Sequence, residues 1–278
     1  YAMVRRHLRG EFDFVCLTDN DEGVRPEVRC LPIPSLQLPA GIPERGWTKL
    51  TTFQADLHGL QGTALFLDLD VVIVDDITPF FEEPGEFLII HDWKRPWRIT
   101  GNSSVYRFRL GAHPDVLERF RQTQEVVRAR LRNEQAYLSE VMQEQGHLRY
   151  WPAAWCASFK YHCIPTFPTN WWKAPVIPEG ARIIIFHGEV NPPDALAVRL
   201  LRRRHLPLVH DALTRLLGDA KERTRLATGA RIHAESFGWD HTTNGPAVSP
   251  SAGVISPEPP GFTAHTGRVA SAGYPALT

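Results

Sequence analysis

Short apolar runs bounded by turn residues alternate along the chain with stretches in which apolar residues recur at helical spacing. The runs predict strands, because β-branched and aromatic residues fill them. They lie at residues 12–17, 28–33, 64–67, 71–74, 87–91, 102–108 and 182–186. Helices are predicted at residues 1–8, 46–57, 78–81, 113–131, 133–145 and 196–217. This alternation indicates an α/β fold, with a mixed sheet because some strands follow one another directly.

The two ends of the sequence differ in pattern from the region between them. No strand precedes the helix at residues 1–8, although an α/β domain usually begins with one, so we expect the sheet to lack its first strand. From about Thr228 the composition changes to Gly, Pro, Ser, Ala and Thr with little periodicity, as is typical of disordered chain. The predicted organisation is one domain at residues 1–227 and a disordered tail at residues 228–278.

Two acidic residues, Asp68 and Asp70, separate the apolar runs at 64–67 and 71–74. Burying carboxylates at a strand end is costly unless a cation or strong donors satisfy them. On a regular strand these residues would share one face and could reach one ion. Hard oxygen ligands suit Mg²⁺ or Mn²⁺. The alternative is a strand end followed by a solvated acidic turn. Asp75 and Asp76 are predicted to cap the helix that follows.

The composition of the chain bears on its partners, its cysteines and its location in the cell. The chain has no net formal charge, which gives no reason to expect a nucleic-acid partner. Its four cysteines form no CxxC pair, so we expect free thiols and a cytoplasmic protein. No apolar run is long enough to span a bilayer, and no signal peptide opens the sequence.

Four polar features could converge on the two acidic residues. His187 ends a late apolar run, where ligands bind in open α/β sheets. Asn102-Ser103 begin a predicted strand and can hydrogen-bond a hydroxylated ligand. Glu134-Gln135 begin a helix, where an acid also complements the helix dipole. Lys49 lies in a predicted helix and could meet a phosphate. For each of them an ordinary structural role is the alternative.

The ordered set of blocks resembles a known family. CLTD, WTKL, FLDLDVVI, NSSV, an acid-Gln helix start and FHG follow one another in this order. The set resembles the GT-A nucleotide-sugar glycosyltransferases, and within them the group that contains glycogenin and bacterial lipooligosaccharide galactosyltransferases. It is also similar to uncharacterised bacterial glycosyltransferase-like proteins. The resemblance covers about residues 1–193. It implies a GT-A, Rossmann-like fold with a mixed, mostly parallel sheet flanked by helices.

The resemblance also implies a ligand set. Asp68 and Asp70 match the DxD motif, which holds Mn²⁺, or Mg²⁺, on the nucleotide diphosphate. His187 matches the late metal-binding histidine. Gly188 matches the glycine that lets the backbone approach the diphosphate. The implied donor is a nucleotide diphosphate sugar, with a UDP-sugar favoured, and the acceptor is an unidentified glycan, lipid or protein.

Other positions match the sugar-binding side of the family's site. Asn102 and Ser103 match the strand near the donor sugar and acceptor. Glu134 and Gln135 match an Asp-Gln pair near the reaction centre, with Glu in place of Asp. Lys49 takes the place of a basic residue near the donor. Asn191 stands where the family often has a lysine that contacts phosphate. The implied activity is hexosyl transfer, which the loss of a first strand would impair.

Two other functions remain open. The same acidic motif fits haloacid-dehalogenase-type phosphatases, in which Asp68 would be the nucleophile, Asp70 the acid–base group and Mg²⁺ the cofactor. Those enzymes usually carry the motif at the chain start, whereas here about 60 residues precede it. The third interpretation is a decayed, non-catalytic sugar-binding domain, which the missing first strand and Asn191 favour.

Overall fold

The computed structural model describes residues 1–39, 44–171, 173–188, 191–192 and 251–256. The helix predicted at residues 196–217 lies outside the described residues, as does most of the predicted tail. Within the described part the helices are α1 (Ala2–His7), a 3₁₀ helix (Arg45–Phe53), α2 (Pro79–Glu82), α3 (Pro114–Arg130), α4 (Glu134–Glu144), a π-helical turn (Phe159–Cys163) and a 3₁₀ turn (Thr169–Trp171). The strands are β1 (Asp13–Leu17), β2 (Arg29–Leu31), β3 (Thr63–Leu67), β4 (Val71–Ile73), β5 (Phe87–His91), β6 (Gly101–Arg109), β7 (Leu148–Tyr150), β8 (Cys156–Ser158), β9 (Ile183–Ile185) and β10 (Ser251–Ser256).

These strands form two sheets. The larger has seven described strands in the order β2-β1-β10-β3-β6-β5-β7, and the smaller has three in the order β4-β9-β8. In the larger sheet β10 and β6 run antiparallel to their neighbours, while β2, β1, β3, β5 and β7 share one direction. The predicted α/β fold with a mixed, mostly parallel sheet is confirmed, because five of the seven described strands run in the same direction.

Strand β10 lies between β1 and β3 and is antiparallel to both. Its register places Val254 opposite Phe14 on one side and Leu65 on the other. Val254 is fully buried. Residues 251–256 lie inside the stretch that was predicted to be a disordered tail, but in the structure they form an ordered strand of the sheet. The boundary at residue 227 stays a prediction.

Alternation along β3 explains how the large sheet carries a core on each face. Ala64 and Phe66 point to the core covered by α3, α4 and the 3₁₀ helix Arg45–Phe53. Leu65 and Leu67 point to the opposite core, which α1, α2 and the small sheet cover. Successive strand side chains face opposite sides, so a fully apolar run is what a strand buried on both faces requires.

The premise that Asp68 and Asp70 share a face of one regular strand is wrong. The chain leaves β3 at Leu67, turns through residues 68–70 and enters β4 in the other sheet at Val71. The Asp68 N–H donates to the Ser104 carbonyl (2.9 Å), and the Asp70 carbonyl accepts from Phe186 N–H (3.0 Å). Each sheet therefore holds one end of the acidic turn, which lies at the junction of the two sheets.

Two further expectations concern the cysteines and the possibility of a membrane-spanning helix. All four cysteines are free thiols, as predicted. No helix among the described residues has both the length and the apolar character needed to cross a membrane. A cytoplasmic location stays a prediction.

Candidate functional site

The acidic turn forms part of a group that we call the carboxylate cluster: Lys49, Asp68, Asp70, Ser103 and Glu134. Lys49 Nζ lies 2.7 Å from Asp68 Oδ1 and 2.8 Å from Asp68 Oδ2. The same ammonium lies 3.9 Å from Glu134 Oε1. Ser103 Oγ donates to Glu134 Oε1 at 2.8 Å. Residues separated by up to 85 positions along the chain therefore meet around one ammonium group.

Three elements position these side chains. The 3₁₀ helix Arg45–Phe53 carries Lys49 and is anchored by Trp47, whose ring stacks on Phe120 with centroids 4.9 Å apart. Gly46 lies against Glu134, and a Cβ on that glycine would stand 2.9 Å from Glu134 Oε2. Glu134 opens α4, where the N-cap Asn133 accepts a hydrogen bond from the Ala136 N–H.

Ser103 lies in an irregular stretch of β6. Ile89 of β5 pairs with Tyr106, but the next residue, Ile90, pairs with Asn102. Residues 103–105 therefore have no partner on β5, which is the arrangement of a bulge, and bulges redirect side chains near functional sites. The Ser103 N–H meets Gln135 Oε1 at 3.4 Å, and Asn102 Oδ1 accepts from the Ser104 N–H at 3.1 Å. Asn102 and Gln135 thus border the cluster.

The carboxylate cluster contains more acidic than basic side chains. Burial by itself would lower the pKa of Lys49, but the charges of Asp68 and Glu134 outweigh it, and the pKa is raised. Burial raises the pKa of Asp70 to about 6, and the neighbouring Asp68 carboxylate adds to that rise. Asp70 Oδ1 is buried and has no hydrogen-bond partner among the residues that the structure describes. Three carboxylates thus surround one ammonium, and within the described part of the chain one carboxylate oxygen is unsatisfied.

His187 and Gly188 follow the strand that pairs with β4. Val71 pairs with Ile185, and Phe186 bonds to the backbone of Asp70, so His187 comes directly after the junction. Its Nε2 lies 2.7 Å from Ser158 Oγ, and its ring stacks on Trp93. No group of three or more His, Cys, Asp or Glu side chains is arranged to hold a metal ion in the described part of the chain. His187 as a third metal ligand therefore stays a prediction.

Gly188 adopts a φ of +87°, a backbone conformation that favours glycine. A Cβ there would meet no atom of the described structure within 4 Å. The backbone at this position is consequently open to an approaching group, which is compatible with its predicted role beside a diphosphate.

A second group next to the junction was missed by the sequence argument. We call it the ring cluster: Trp93, Ser158, Tyr161, His162 and His187. It forms where the loop after β5 meets the π-helical turn Phe159–Cys163. The available signal was the sequence Ser158-Phe-Lys-Tyr-His-Cys163, which places Lys, Tyr and His side by side in a stretch without periodicity. Gly46 was missed as well, since only its contact with Glu134 distinguishes it.

Comparison with known proteins gives fold-level likeness only. No protein-family model matches the sequence, and no curated protein sequence matches it. Among solved structures, the galactosyltransferase LgtC in complex with donor and acceptor sugar analogs is similar at 14% identity with a TM-score of 0.41, over 64% of this chain and 75% of that chain. The active-site mutant Q189E of LgtC is similar at 15% identity with a TM-score of 0.41, over 63% of this chain and 75% of that one.

Proposed function

We propose that the chain is a metal-dependent glycosyltransferase that moves a hexosyl group from a nucleotide diphosphate sugar, with a UDP-sugar favoured, to a glycan, lipid or protein acceptor. The observation that carries the proposal is the buried Oδ1 of Asp70 beside Asp68, which has no hydrogen-bond partner in the described part of the chain. It lies in a cluster whose carboxylates outnumber its ammonium group. The resemblance of the ordered sequence blocks supports the same activity.

The oxygen atoms of the cluster fit a divalent cation. Mn²⁺ and Mg²⁺ prefer carboxylate oxygens, and an unsatisfied buried carboxylate is stabilised by a positive charge. Asp68 and Asp70 would hold the ion. When bound, such an ion offsets the negative charge that builds on a departing diphosphate.

The remaining residues of the site would bind and orient the sugar. Lys49 fixes the position of Asp68, because its ammonium contacts both carboxylate oxygens. Glu134 is held by Ser103, so its second oxygen has a defined position close to Gly46. Asn102 and Gln135 supply amide groups that can meet sugar hydroxyls. Fixed polar groups of this kind hold two reactants in reacting geometry.

A thermal-shift titration tests the proposal. We expect a UDP-sugar to raise the melting temperature in the presence of Mn²⁺ and to have little effect in EDTA, because the ion links the diphosphate to the carboxylates. Asp70→Asn should abolish this Mn²⁺-dependent shift. Asp75→Asn is the matched control, because Asp75 is an exposed acid in the same region. Release of UDP from the bound sugar donor then measures transfer or hydrolysis.

Three outcomes would contradict the proposal, and two of them would favour another function. An Asp70→Asn variant that keeps the full Mn²⁺-dependent shift would overturn the metal assignment. Hydrolysis of p-nitrophenyl phosphate with Mg²⁺, without binding of any nucleotide sugar, would favour the phosphatase. Absence of a Mn²⁺-dependent shift with every nucleotide diphosphate sugar would favour a non-catalytic domain.

A further inference from the structure

One fully buried residue, Ser158, contacts three members of the ring cluster. Ser158 has an exposed fraction of 0%. Its Oγ lies 2.7 Å from His187 Nε2 and accepts from the Tyr161 backbone N–H at 3.3 Å. Its own backbone N–H donates to His162 Nδ1 at 2.9 Å. Ser158 therefore holds the imidazole rings of His162 and His187 and the backbone of Tyr161.

The rings also pack on one another. The Trp93 ring is nearly parallel to that of His187, with centroids 5.6 Å apart and an interplanar angle of 16°. Tyr161 lies on His187 at 5.3 Å between centroids, and Trp93 meets His162 edge-on at 5.9 Å. Trp93 Nε1 is tied to the Cys156 carbonyl at 3.3 Å. The His187 ring therefore contacts both Trp93 and Tyr161 and cannot turn without breaking these contacts.

The hydrogen bonds indicate which nitrogen of His187 carries the proton. A buried hydroxyl needs an acceptor for its hydrogen. Among the contacts of the described residues, Ser158 Oγ receives a hydrogen bond from Tyr161, and His187 Nε2 is the acceptor within reach of its own hydrogen. With Nε2 accepting, the neutral ring bears its proton on Nδ1. In this arrangement His187 offers an N–H donor.

Two lysines place positive charge near the Nδ1–H of His187. Lys94 Nζ lies 5.7 Å from the centre of the Tyr161 ring, and Lys160 directly precedes Tyr161 in the π-helical turn. Both are exposed, and neither forms an ion pair with any described residue. Burial lowers the pKa of His187, the charges of Lys94 and Lys160 lower it further, and Asp92 opposes them. The charges that act on the ring are therefore those of Lys94, Lys160 and His162 on one side and that of Asp92 on the other.

We propose that Lys94, Lys160 and the Nδ1–H of His187 form an anion subsite that binds a phosphate group, with Trp93 and Tyr161 as its rigid walls. Ammonium and ring N–H groups donate to phosphate oxygens, and charge-assisted hydrogen bonds are the stronger kind. The subsite adjoins the carboxylate cluster, because Phe186 bonds to the Asp70 backbone and His187 follows it.

The phosphate could belong to the diphosphate of the donor or to a phosphorylated acceptor. Assigning it to a nucleotide diphosphate rests on the proposed function, whereas binding of the phosphate group itself does not. The subsite can therefore be tested without any metal ion.

Calorimetric titration of inorganic pyrophosphate into the full chain in EDTA tests the subsite. We expect measurable binding to the wild type. Lys94→Gln and Lys160→Gln should each raise the Kd about tenfold, since a charge-assisted hydrogen bond contributes on that order. Lys160→Arg keeps the charge and should retain most of the affinity. Lys173→Gln, an exposed lysine outside the cluster, should match the wild type.

Further measurements distinguish a failure of the phosphate subsite from a failure of the proposed glycosyltransferase activity. Asp70→Asn should keep metal-free pyrophosphate binding, because it removes a negative charge nearby, while losing the Mn²⁺-dependent shift with a UDP-sugar. A lower Kd for UDP than for phosphate would assign the subsite to the donor, and the reverse order would assign it to the acceptor. Failure of the wild type to bind pyrophosphate would overturn the subsite. Equal binding by the wild type and both glutamine variants would overturn it as well.

Discussion

The carboxylate cluster and the ring cluster adjoin each other at one junction of two sheets, but they are built in opposite ways. In the carboxylate cluster the side chains are largely enclosed, with 14% of Lys49 and 10% of Glu134 exposed, and each charge depends on another. The ring cluster contains no charged pair of this kind: Lys94 and Lys160 beside it are exposed, and the buried Ser158 holds the imidazole rings of His162 and His187. Charge removal should therefore affect stability in the first cluster and ligand binding in the second.

Lys49→Met gives the largest expected effect. The change removes the only described ammonium within reach of Asp68 and Glu134 and keeps most of the side-chain volume. Leaving an enclosed carboxylate without its partner should lower the free energy of unfolding by about 3 kcal/mol, as measured by urea denaturation.

Lys160→Met is the matched control for that experiment. Lys160 is exposed and makes no ion pair with a described residue, so its loss should change stability by less than about 0.5 kcal/mol. Equal losses in the two variants would contradict the distinction between the clusters.

Asp70 should give the next largest effect, through pH. Burial raises the pKa of Asp70 from its ordinary value of 3.8 to about 6, so the folded protein binds the proton more tightly than the unfolded chain. The stability contributed by the protonated form is fully present below the ordinary pKa and is lost as pH rises through the folded-state pKa. In metal-free buffer the wild type should lose about 2 kcal/mol relative to Asp70→Asn between acidic and neutral pH.

Denaturation of both proteins at several pH values measures this difference. Parallel pH curves for the wild type and Asp70→Asn would show that Asp70 titrates normally. Addition of Mn²⁺ at neutral pH should restore stability to the wild type and leave Asp70→Asn unchanged.

Ser158→Ala should lower the free energy of unfolding by about 1 kcal/mol, less than the effects expected for Lys49 and Asp70, because it removes one buried hydroxyl and its hydrogen bonds. Its effect on His187 should be more evident. Freed from Ser158, the ring can exchange its proton between the two nitrogens, and the ¹⁵N chemical shifts of the His187 ring report this. Unchanged shifts would contradict the assignment of the proton to Nδ1.

Much of the carboxylate cluster was predictable because its residues mark the ends of elements. Lys49 follows a Trp in a helix, Ser103 is near the start of a strand and Glu134 begins a helix. Each of these residues also has an ordinary structural role as its alternative, so their expected convergence on Asp68 depended on the ordered set of sequence blocks taken together. The structure brings Lys49, Ser103 and Glu134 to Asp68.

The ring cluster and the change of sheet were not predictable. Strands β4, β8 and β9 have three residues each, too few to show a period. Their pairing places Asp70 beside Phe186 and Ser158 beside Ile185, and these contacts depend on the fold as a whole. Strand β10 contains Gly253 within a weakly apolar run, and only its two neighbours in the sheet give it order.

The position of β10 has a consequence for the order of folding. During synthesis, β1 and β3 leave the ribosome long before the strand that hydrogen-bonds to both of them. At about 5–20 residues per second, the synthesis of residues 68–250 takes about 10–40 s. Contacts this distant in sequence also form slowly, because a long loop must close first. During that interval β1 and β3 expose unpaired edges, and the nascent chain is at its most vulnerable to aggregation and to chaperone capture.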